Sequence, residues 1–294
     1  MSKRVPIGPA ALLFTLLALV FCAAGCASRA PEQGAPAVTP PAQPKLQVVT
    51  TTSLIADVAK AVGGDRVQVT NIIPPASCPG HFDIKPGDLK ALADARLFML
   101  HDWQGEKFSD GLIRSAGNPA LQKVVLDIQG NWMAPPVQAQ AIERITAALE
   151  AADPANAAAY RAAAAALADT VQRTGQELKA RLEQAEVKDI KVLCADMQAG
   201  FVKWMGFTVV GVYGRPEDTT PQQMEEMLAK ARQEGVTLVI DNLQSGHEAG
   251  VGMAKELGAE HVTLSNFPGG LPDTETWEKA VRKNVDLVLE AIGK

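Results

Sequence analysis

The sequence predicts an α/β protein of two parallel-sheet lobes that are joined by one long helix, with a ligand cleft between the lobes. In two separate blocks, residues 46–153 and 186–294, short apolar runs alternate with amphipathic helical stretches. This alternation is typical of strand–helix–strand units and of parallel sheets. Between the blocks, residues 154–185 contain no proline after the first position and only one glycine. They predict a helix of about 30 residues, about 45 Å long, which is too long for the core of either block.

The N-terminal residues predict export from the cytoplasm. Two basic residues precede an apolar run at 7–24, and the sequence Ala-Ala-Gly-Cys ends at Cys26. A basic start, an apolar centre and a small-residue end are typical of a secretory signal, here residues 1–25. The same four residues are similar to the bacterial lipobox, so Cys26 is predicted to carry a lipid. The alternative is an ordinary secretory signal with cleavage nearby.

Residues 26–45 predict a linker, because they are rich in Pro, Ala and Gln and have few large apolar side chains. A lipid at Cys26 and this linker would hold the folded part close to a membrane surface. We therefore predict a membrane-anchored lipoprotein outside the cytoplasm, in the periplasm or on the cell surface.

Within the first block, strands are predicted at 46–51, 66–72, 97–101 and 123–126, and helices at 53–62, 86–94 and 137–151. Ser53 is predicted to cap the first helix, and Pro86 with Asp88 marks the beginning of the second. Within the second block, strands are predicted at 190–194, 207–213, 236–241 and 261–264, and helices at 221–234, 246–257 and 274–292.

Charge and hydropathy exclude two classes of partner. The net charge is −5 with both signs mixed along the chain, and no basic run is interleaved with aromatic residues. Nucleic acid is therefore not expected as a partner. No segment after the signal is long and apolar enough to cross a bilayer.

Candidate metal ligands follow the predicted strands. Cys78 and His81 share the loop after the second strand, His101 ends the third, and Cys194 with Asp196 ends the fifth. Ligands of open α/β sheets bind outside the carboxyl ends of strands, so these side chains are expected to converge. Thiolate and imidazole suit Zn²⁺ or Cu⁺. We predict Cys78, His81 and Cys194 as metal ligands, with Asp196, His101, water or a carried ligand in the fourth place.

Several alternatives remain open at this point. Cys78 and Cys194 could form a disulfide outside the cytoplasm, or both thiols could be buried and inert. Asp241 could orient a ligand as a hydrogen-bond acceptor, or cap the following helix. Trp132 could line the cleft or pack in the core.

The order of several segments resembles that of one protein family. These segments are TTTSLIADVAKAVGGDRVQVTNIIPP, KPGDLKALADARLFML, ADPANAAAYRAAAAALAD and EGVTLVIDNLQSGHEAGVGMAKELGAEHVTL. They resemble the periplasmic solute-binding proteins of zinc and manganese ABC importers, cluster A-I with a TroA-like fold, over residues 48–292. The resemblance implies two lobes, a rigid linking helix, a metal ion bound between the lobes as cargo, and an ABC permease as partner.

The resemblance also implies three His and one carboxylate as ligands, and this chain departs from that set. His81 lies one place later than expected, and GNWMAPP contains Trp132 without the family's His. The other two positions fall near Ala195 and Ser265. We therefore predict a transition-metal cargo, zinc first, with copper or manganese as alternatives. A receptor of the same fold for a non-metal or metal-complex ligand, with Cys78 and Cys194 as a disulfide, is the alternative.

An enzyme that uses Cys78 with His81 as its base is a third hypothesis. Nucleophilic catalysis also needs an orienting group and an oxyanion site. Neither an oxyanion-hole loop nor a C-x-x-C redox pair is found in the sequence. We predict a monomeric binding protein and not an enzyme.

Overall fold

The computed structural model describes residues 44–101, 109–246 and 248–294. Residues 43–294 cluster as one compact unit. The predicted signal, most of the linker and Cys26 lie outside the described residues. In the described part, no helix combines the length and the apolar character that crossing a membrane requires.

The first lobe is built on a four-stranded sheet in which every neighbouring pair is parallel. Its strands are β1 (Leu46–Thr50), β2 (Val67–Asn71), β3 (Leu97–Leu100) and β4 (Gln122–Val125). The spatial order is β2-β1-β3-β4. Three helices connect these strands: α1 (Ser53–Gly63), α2 (Pro86–Asp94) and α3 (Ser109–Ala116). The strand order reverses between β1 and β3, which places a crevice at their carboxyl ends.

Two further helices follow the first sheet. Helix α4 runs over Pro135–Ala152, and α5 over Ala157–Gln184. Helix α5 has 28 residues, so it is about 42 Å long. It begins three residues later than predicted because Pro154–Asn156 form a separate 3₁₀ turn.

The second lobe repeats the topology of the first. Its strands are β5 (Lys191–Ala195), β6 (Thr208–Tyr213), β7 (Leu238–Asn242) and β8 (Glu260–Leu264), all parallel in the order β6-β5-β7-β8. Its helices are α6 (Ala199–Met205), α7 (Pro221–Glu234), α8 (Glu248–Leu257) and α9 (Trp277–Ala291). The order reverses between β5 and β7, so this lobe has its own crevice at the same end.

One hydrophobic core passes through both lobes. Helix α5 contributes Tyr160, Val171, Leu178 and Leu182, all nearly or fully buried. The same cluster includes side chains of both sheets, such as Val48 of β1 and Val192 of β5, and residues of α1, α4 and α9. The linking helix is therefore packed into the core of both lobes, and this makes the connection stiff.

The eight predicted strands and the predicted helices are all present, and their ends differ from the prediction by at most three residues. Helices α3 and α6 were not predicted. The prediction that Ser53 caps α1 is wrong: Thr52 occupies the cap position, and the Ser53 hydroxyl donates to the carbonyl of Pro268 in the other lobe at 2.8 Å. Helix α8 begins after Gly246 because that residue has φ +93°, outside helical geometry.

Candidate functional site

The loops at the carboxyl ends of the two sheets contact one another directly. The side-chain amide of Gln244, after β7, donates to the carbonyl of Pro75, after β2, at 2.8 Å. The side-chain amide of Asn131, after β4, donates to the carbonyl of Met197 at 2.8 Å and to the side-chain oxygen of Asn266 at 2.6 Å. These bonds join the lobes on both sides of the crevice.

Cys78 and His81 stand at the two ends of one β-turn in this crevice. The backbone N–H of His81 donates to the carbonyl of Cys78 at 3.1 Å, which closes the turn. The Cys78 sulfur accepts from the backbone N–H of Gly80 at 3.3 Å and from Nη2 of Arg215, in the other lobe, at 2.8 Å. Cys78 is partly buried and His81 is exposed. The Cys78 sulfur is thus held by one donor from its own turn and one from the other lobe.

Cys194 lies in the core and not in the crevice. It is fully buried on β5 and belongs to the core cluster that runs through both lobes. Burial raises the pKa of its thiol to about 12, so the thiol stays protonated at neutral pH. Both Cys78 and Cys194 are free thiols. The structure therefore shows no disulfide between Cys78 and Cys194. Cys194 matches the other alternative, that of an inert, buried thiol.

His101 and Trp132 form a buried pair. His101 is fully buried, its Nε2 lies 2.9 Å from the Thr52 hydroxyl, and its ring meets Trp132 edge-on at 4.6 Å. Burial lowers the pKa of His101 to about 3, so the ring is neutral. Trp132 is 2 % exposed, and its carbonyl accepts from the indole N–H of Trp277 at 2.9 Å. Trp132 therefore packs in the core.

The two carboxylates among the predicted site residues, Asp196 and Asp241, lie in different environments. Asp196 is exposed, and its Oδ1 accepts from the backbone N–H of the next residue at 2.6 Å. Asp241 is fully buried, where Oδ1 accepts from the Tyr213 hydroxyl at 2.6 Å and Oδ2 lies 2.7 Å from Nε2 of His261. Asp241 therefore bonds to Tyr213 and His261, and its role in orienting a ligand stays a prediction.

The cluster of Tyr213, Asp241 and His261 is not identified by the sequence analysis. A usable signal exists in the register: Val239 of β7 pairs with His261 of β8, and Asp241 pairs with Thr263. Residues two apart on a strand share one face of the sheet. A sheet order predicted from the sequence would therefore have placed Asp241 and His261 on one face as diagonal neighbours.

Neutral polar groups occupy the second lobe's side of the crevice. Ser265, at one of the family's ligand positions, accepts on its hydroxyl from the Gln244 side chain at 2.9 Å, and its backbone N–H donates to Asn284 at 3.0 Å. Gln198 donates to the side-chain oxygen of Asn242 and to the carbonyl of Leu264, each at 3.2 Å. These amides and hydroxyls largely bond to one another and present no anionic donor.

The structure does not assemble the predicted five-residue metal set. Among residues 44–101, 109–246 and 248–294, no three or more His, Cys, Asp or Glu side chains lie together so that they could hold a metal ion. Cys78 and His81 share a turn, Asp196 stays exposed on the other lobe, and Cys194 and His101 are buried. The ligand roles of these residues stay predictions.

Solved structures confirm the predicted fold. A Mn-bound periplasmic metal-binding protein from Candidatus Liberibacter asiaticus is similar with a TM-score of 0.73 and 17% identity, over 85% of this chain and 100% of that one. A crystal structure of ZnuA is similar with a TM-score of 0.68 and 20% identity, over 83% and 99%. At such identities the similarity shows the fold alone.

Relatives in sequence are named as metal-binding proteins, and one of them as the substrate-binding lipoprotein of an ABC transporter. The manganese-binding lipoprotein MntA of Bacillus subtilis is 25% identical, over 96% of this chain and 98% of the relative. The iron-binding protein YfeA of Yersinia pestis is 24% identical over 98% of both. The manganese ABC transporter substrate-binding lipoprotein PsaA of Streptococcus pneumoniae is 24% identical over 76% of both.

The family described as zinc-uptake complex component A, periplasmic, matches residues 48–291. This range includes both lobes and the linking helix, and it covers most of the chain. The predictions of a binding protein that is not an enzyme, and of an extracytoplasmic, membrane-anchored location, are thereby confirmed. The chain belongs to the family of zinc-uptake components of ABC importers, whose cargo is a transition-metal ion.

Proposed function

We propose that this protein captures a thiophilic transition-metal ion, zinc first, and delivers it to the permease of an ABC importer. The proposed donors that first hold the ion are Cys78 and His81. The observation that carries this proposal is the Cys78–His81 turn, which offers sulfur and imidazole from one loop between the lobes.

The donor types support zinc or a softer ion over manganese. Thiolate and imidazole are ligands of Zn²⁺ and Cu⁺, whereas Mn²⁺ prefers carboxylate and other oxygen ligands. Relatives are named for manganese and iron, and the family description names zinc. Since this chain has a cysteine beside the family's first ligand position, we place zinc first and keep copper and manganese as alternatives.

Two protein donors leave coordination positions for water or for the cargo's own ligands. Asp196 is the remaining candidate donor, because it is exposed in the loop after β5. Cys194 and His101 would have to leave buried positions to reach an ion, and we give them no direct role.

The test is metal content of the reduced, purified protein after dialysis against zinc, copper or manganese, with the Cys78→Ser, His81→Ala and Asp196→Asn variants beside it. We expect about one equivalent of zinc in the unmodified protein and a loss of at least tenfold in affinity for Cys78→Ser, because one of two protein donors is removed. Cys194→Ala is the matched control, since it removes the other thiol and should retain zinc. Unchanged zinc binding in both Cys78→Ser and His81→Ala would overturn the proposed site.

A second candidate is a receptor of the same fold for a non-metal or metal-complex ligand. It is favoured by the donor set, since no three His, Cys, Asp or Glu side chains lie together as a metal site among the residues that the structure describes. Native mass spectrometry of the purified protein separates the two candidates. A bound organic mass without metal would support the second, and a bound metal ion alone would support the first.

We also propose that the protein is a monomer that is attached to the membrane through a lipid on Cys26. Cys26→Ser should release the protein from the membrane fraction while leaving its metal content unchanged. A Cys26→Ser variant that stays in the membrane fraction would contradict the proposed lipid site.

A further inference from the structure

Arg215 reaches across the crevice to the proposed metal-capture turn. It lies in the loop after β6 of the second lobe, and its Nη2 donates to the Cys78 sulfur of the first lobe at 2.8 Å. A Cβ placed on Gly80 would lie 3.7 Å from that sulfur and 3.8 Å from the guanidinium. The guanidinium therefore lies against the turn, on the sulfur that an ion would need.

The backbone around Arg215 is fixed. The carbonyl of Arg215 accepts from the backbone N–H of Asp218 at 3.0 Å and from the hydroxyl of Thr219 at 3.2 Å. These two bonds close the short turn at Pro216–Asp218. The base of the side chain is thus held in place, and only its long apolar stem has to move for the guanidinium to leave the sulfur.

Among the residues that the structure describes, no carboxylate lies within ion-pair distance of the Arg215 guanidinium. Arginine keeps its charge at any physiological pH. A cation that approaches Cys78 therefore meets a full positive charge as well as an occupied sulfur.

We propose that Arg215 is a specificity-determining residue, which a cation must displace from Cys78 before it can bind to the turn. This inference rests on the proposed function, that is, on metal capture by Cys78 and His81. Ions that bond strongly to sulfur can displace the guanidinium. Ions that prefer oxygen ligands gain too little from the thiolate to do so.

The test uses Cd²⁺ as a thiophilic probe and Mn²⁺ as an oxygen-preferring probe on the full, reduced protein. Dissociation constants are measured by isothermal titration for wild type, Arg215→Gln, Arg215→Lys, Cys78→Ser and Cys78→Ser/Arg215→Gln. Arg215→Gln should bind Cd²⁺ about tenfold more tightly than wild type, because one unit charge beside the ion is gone. Arg215→Lys keeps the charge and should stay within about threefold of wild type.

The double variant shows whether the effect acts through the thiol. Cys78→Ser/Arg215→Gln should bind Cd²⁺ no more tightly than Cys78→Ser alone. Mn²⁺ binding should be weak in wild type and should tighten in Arg215→Gln by more than the tenfold expected for Cd²⁺, so that the preference for Cd²⁺ falls. An equal gain for both ions would overturn the specificity role. Thermal unfolding of each variant provides the control for folding.

Two failures can be told apart. If Cys78→Ser binds both ions as wild type does, the proposed capture site is wrong and the inference falls with it. If Cys78→Ser loses Cd²⁺ while Arg215→Gln binds it equally or less tightly than wild type, the capture site stands and the role of Arg215 is overturned.

Discussion

The two sheets have the same strand order, but the polar residues at their carboxyl ends are arranged differently. In the first lobe, Cys78 and His81 stand on a loop that extends beyond the sheet, with Cys78 partly buried and His81 exposed. In the second lobe, Asp241 and Ser265 are buried and bonded to neighbouring side chains. The second lobe also contributes the guanidinium of Arg215 to the crevice.

This difference teaches that one topology can supply either ligand donors or stabilising polar contacts at the carboxyl ends of its strands. Polar groups that satisfy one another inside a lobe stabilise it, and they are then no longer available to a ligand. Groups on a projecting turn contribute little to stability and stay available. Stability and binding should therefore respond to mutations in opposite ways in the two lobes.

The largest effect is expected for Asp241→Ala in the second lobe. The change removes the acceptor of the Tyr213 hydroxyl and the partner of the His261 ring, both in a buried position. We expect a loss of about 3 kcal/mol in the free energy of unfolding, measured by urea denaturation. Asp196→Ala is the matched control, since an exposed carboxylate should change stability by less than about 0.5 kcal/mol. Equal losses in the two variants would contradict the comparison.

The next largest effect on stability is expected at His101 of the first lobe when the pH is lowered. Burial lowers the pKa of His101 to about 3, whereas an unfolded chain binds its proton near 6.5. The stability associated with the neutral ring is complete above pH 6.5 and is lost as the pH falls toward 3. Between pH 7.5 and pH 5 this loss should reach about 2 kcal/mol.

The His101→Gln variant tests this prediction through the pH dependence of its free energy of unfolding, and not through the value at a single pH. Gln has no titratable group, so the variant should lose about 2 kcal/mol less than wild type between pH 7.5 and pH 5. Denaturation curves at a series of pH values give both slopes. Parallel slopes would show that His101 is not the group responsible.

A smaller effect of opposite sign is expected at Asp57 of α1. Burial raises the pKa of Asp57 to about 6, although its Oδ2 accepts from the backbone N–H of Trp277 in the second lobe at 2.8 Å. The stability associated with the protonated acid is complete below pH 3.8 and is lost as the pH rises through 6. Asp57→Asn keeps an acceptor for Trp277 without the charge. It should remove a loss of roughly 1 to 2 kcal/mol between pH 5 and pH 7.5.

As the pH rises, Asp57 lowers the stability of the protein and His101 raises it. The pH dependence of Asp57→Asn is therefore measured beside that of the His101→Gln/Asp57→Asn double variant, in which neither group titrates. If the stability of Asp57→Asn changes between pH 5 and pH 7.5 by the same amount as that of wild type, Asp57 is ruled out as the source.

The smallest effect on stability is expected for the projecting turn. Cys78→Ser and His81→Ala should each change the free energy of unfolding by less than about 0.5 kcal/mol, because neither side chain belongs to the core. The same variants should lose metal binding. A loss of stability above about 1.5 kcal/mol would show that the turn is structural, as the second lobe's network is.

Much of the fold followed from local patterns in the sequence. Apolar runs of four to six residues predicted the eight strands, since a strand buried on both faces in a parallel sheet needs them. Proline at the first helical position predicted the beginnings of α2 and α7, which lie where expected at Pro86 and Pro221. Helix α6, only seven residues long, was missed because so short a helix has almost no periodic signal.

The candidate site was less predictable, because side-chain environments depend on residues that are distant in sequence. Cys194 follows a strand as Cys78 does, and the sequence offered no reason to treat the two thiols differently. The structure buries Cys194 on the central strand β5, between β6 and β7, and leaves Cys78 on a turn. Similarly, His261 gained a partner only through the pairing of β7 with β8.

The sequence by itself determined the two α/β lobes, the long linking helix and the family, because hydrophobic periodicity, proline positions and segment order are local or linear properties. The tertiary structure alone decided which polar residues are available in the crevice. Cys78 contacts Arg215, which lies 137 residues further along the chain, only because the loops of the two lobes meet at the crevice. Burial and charge partners are set by packing, and packing brings together residues whose distance along the chain gives no sign that they will meet.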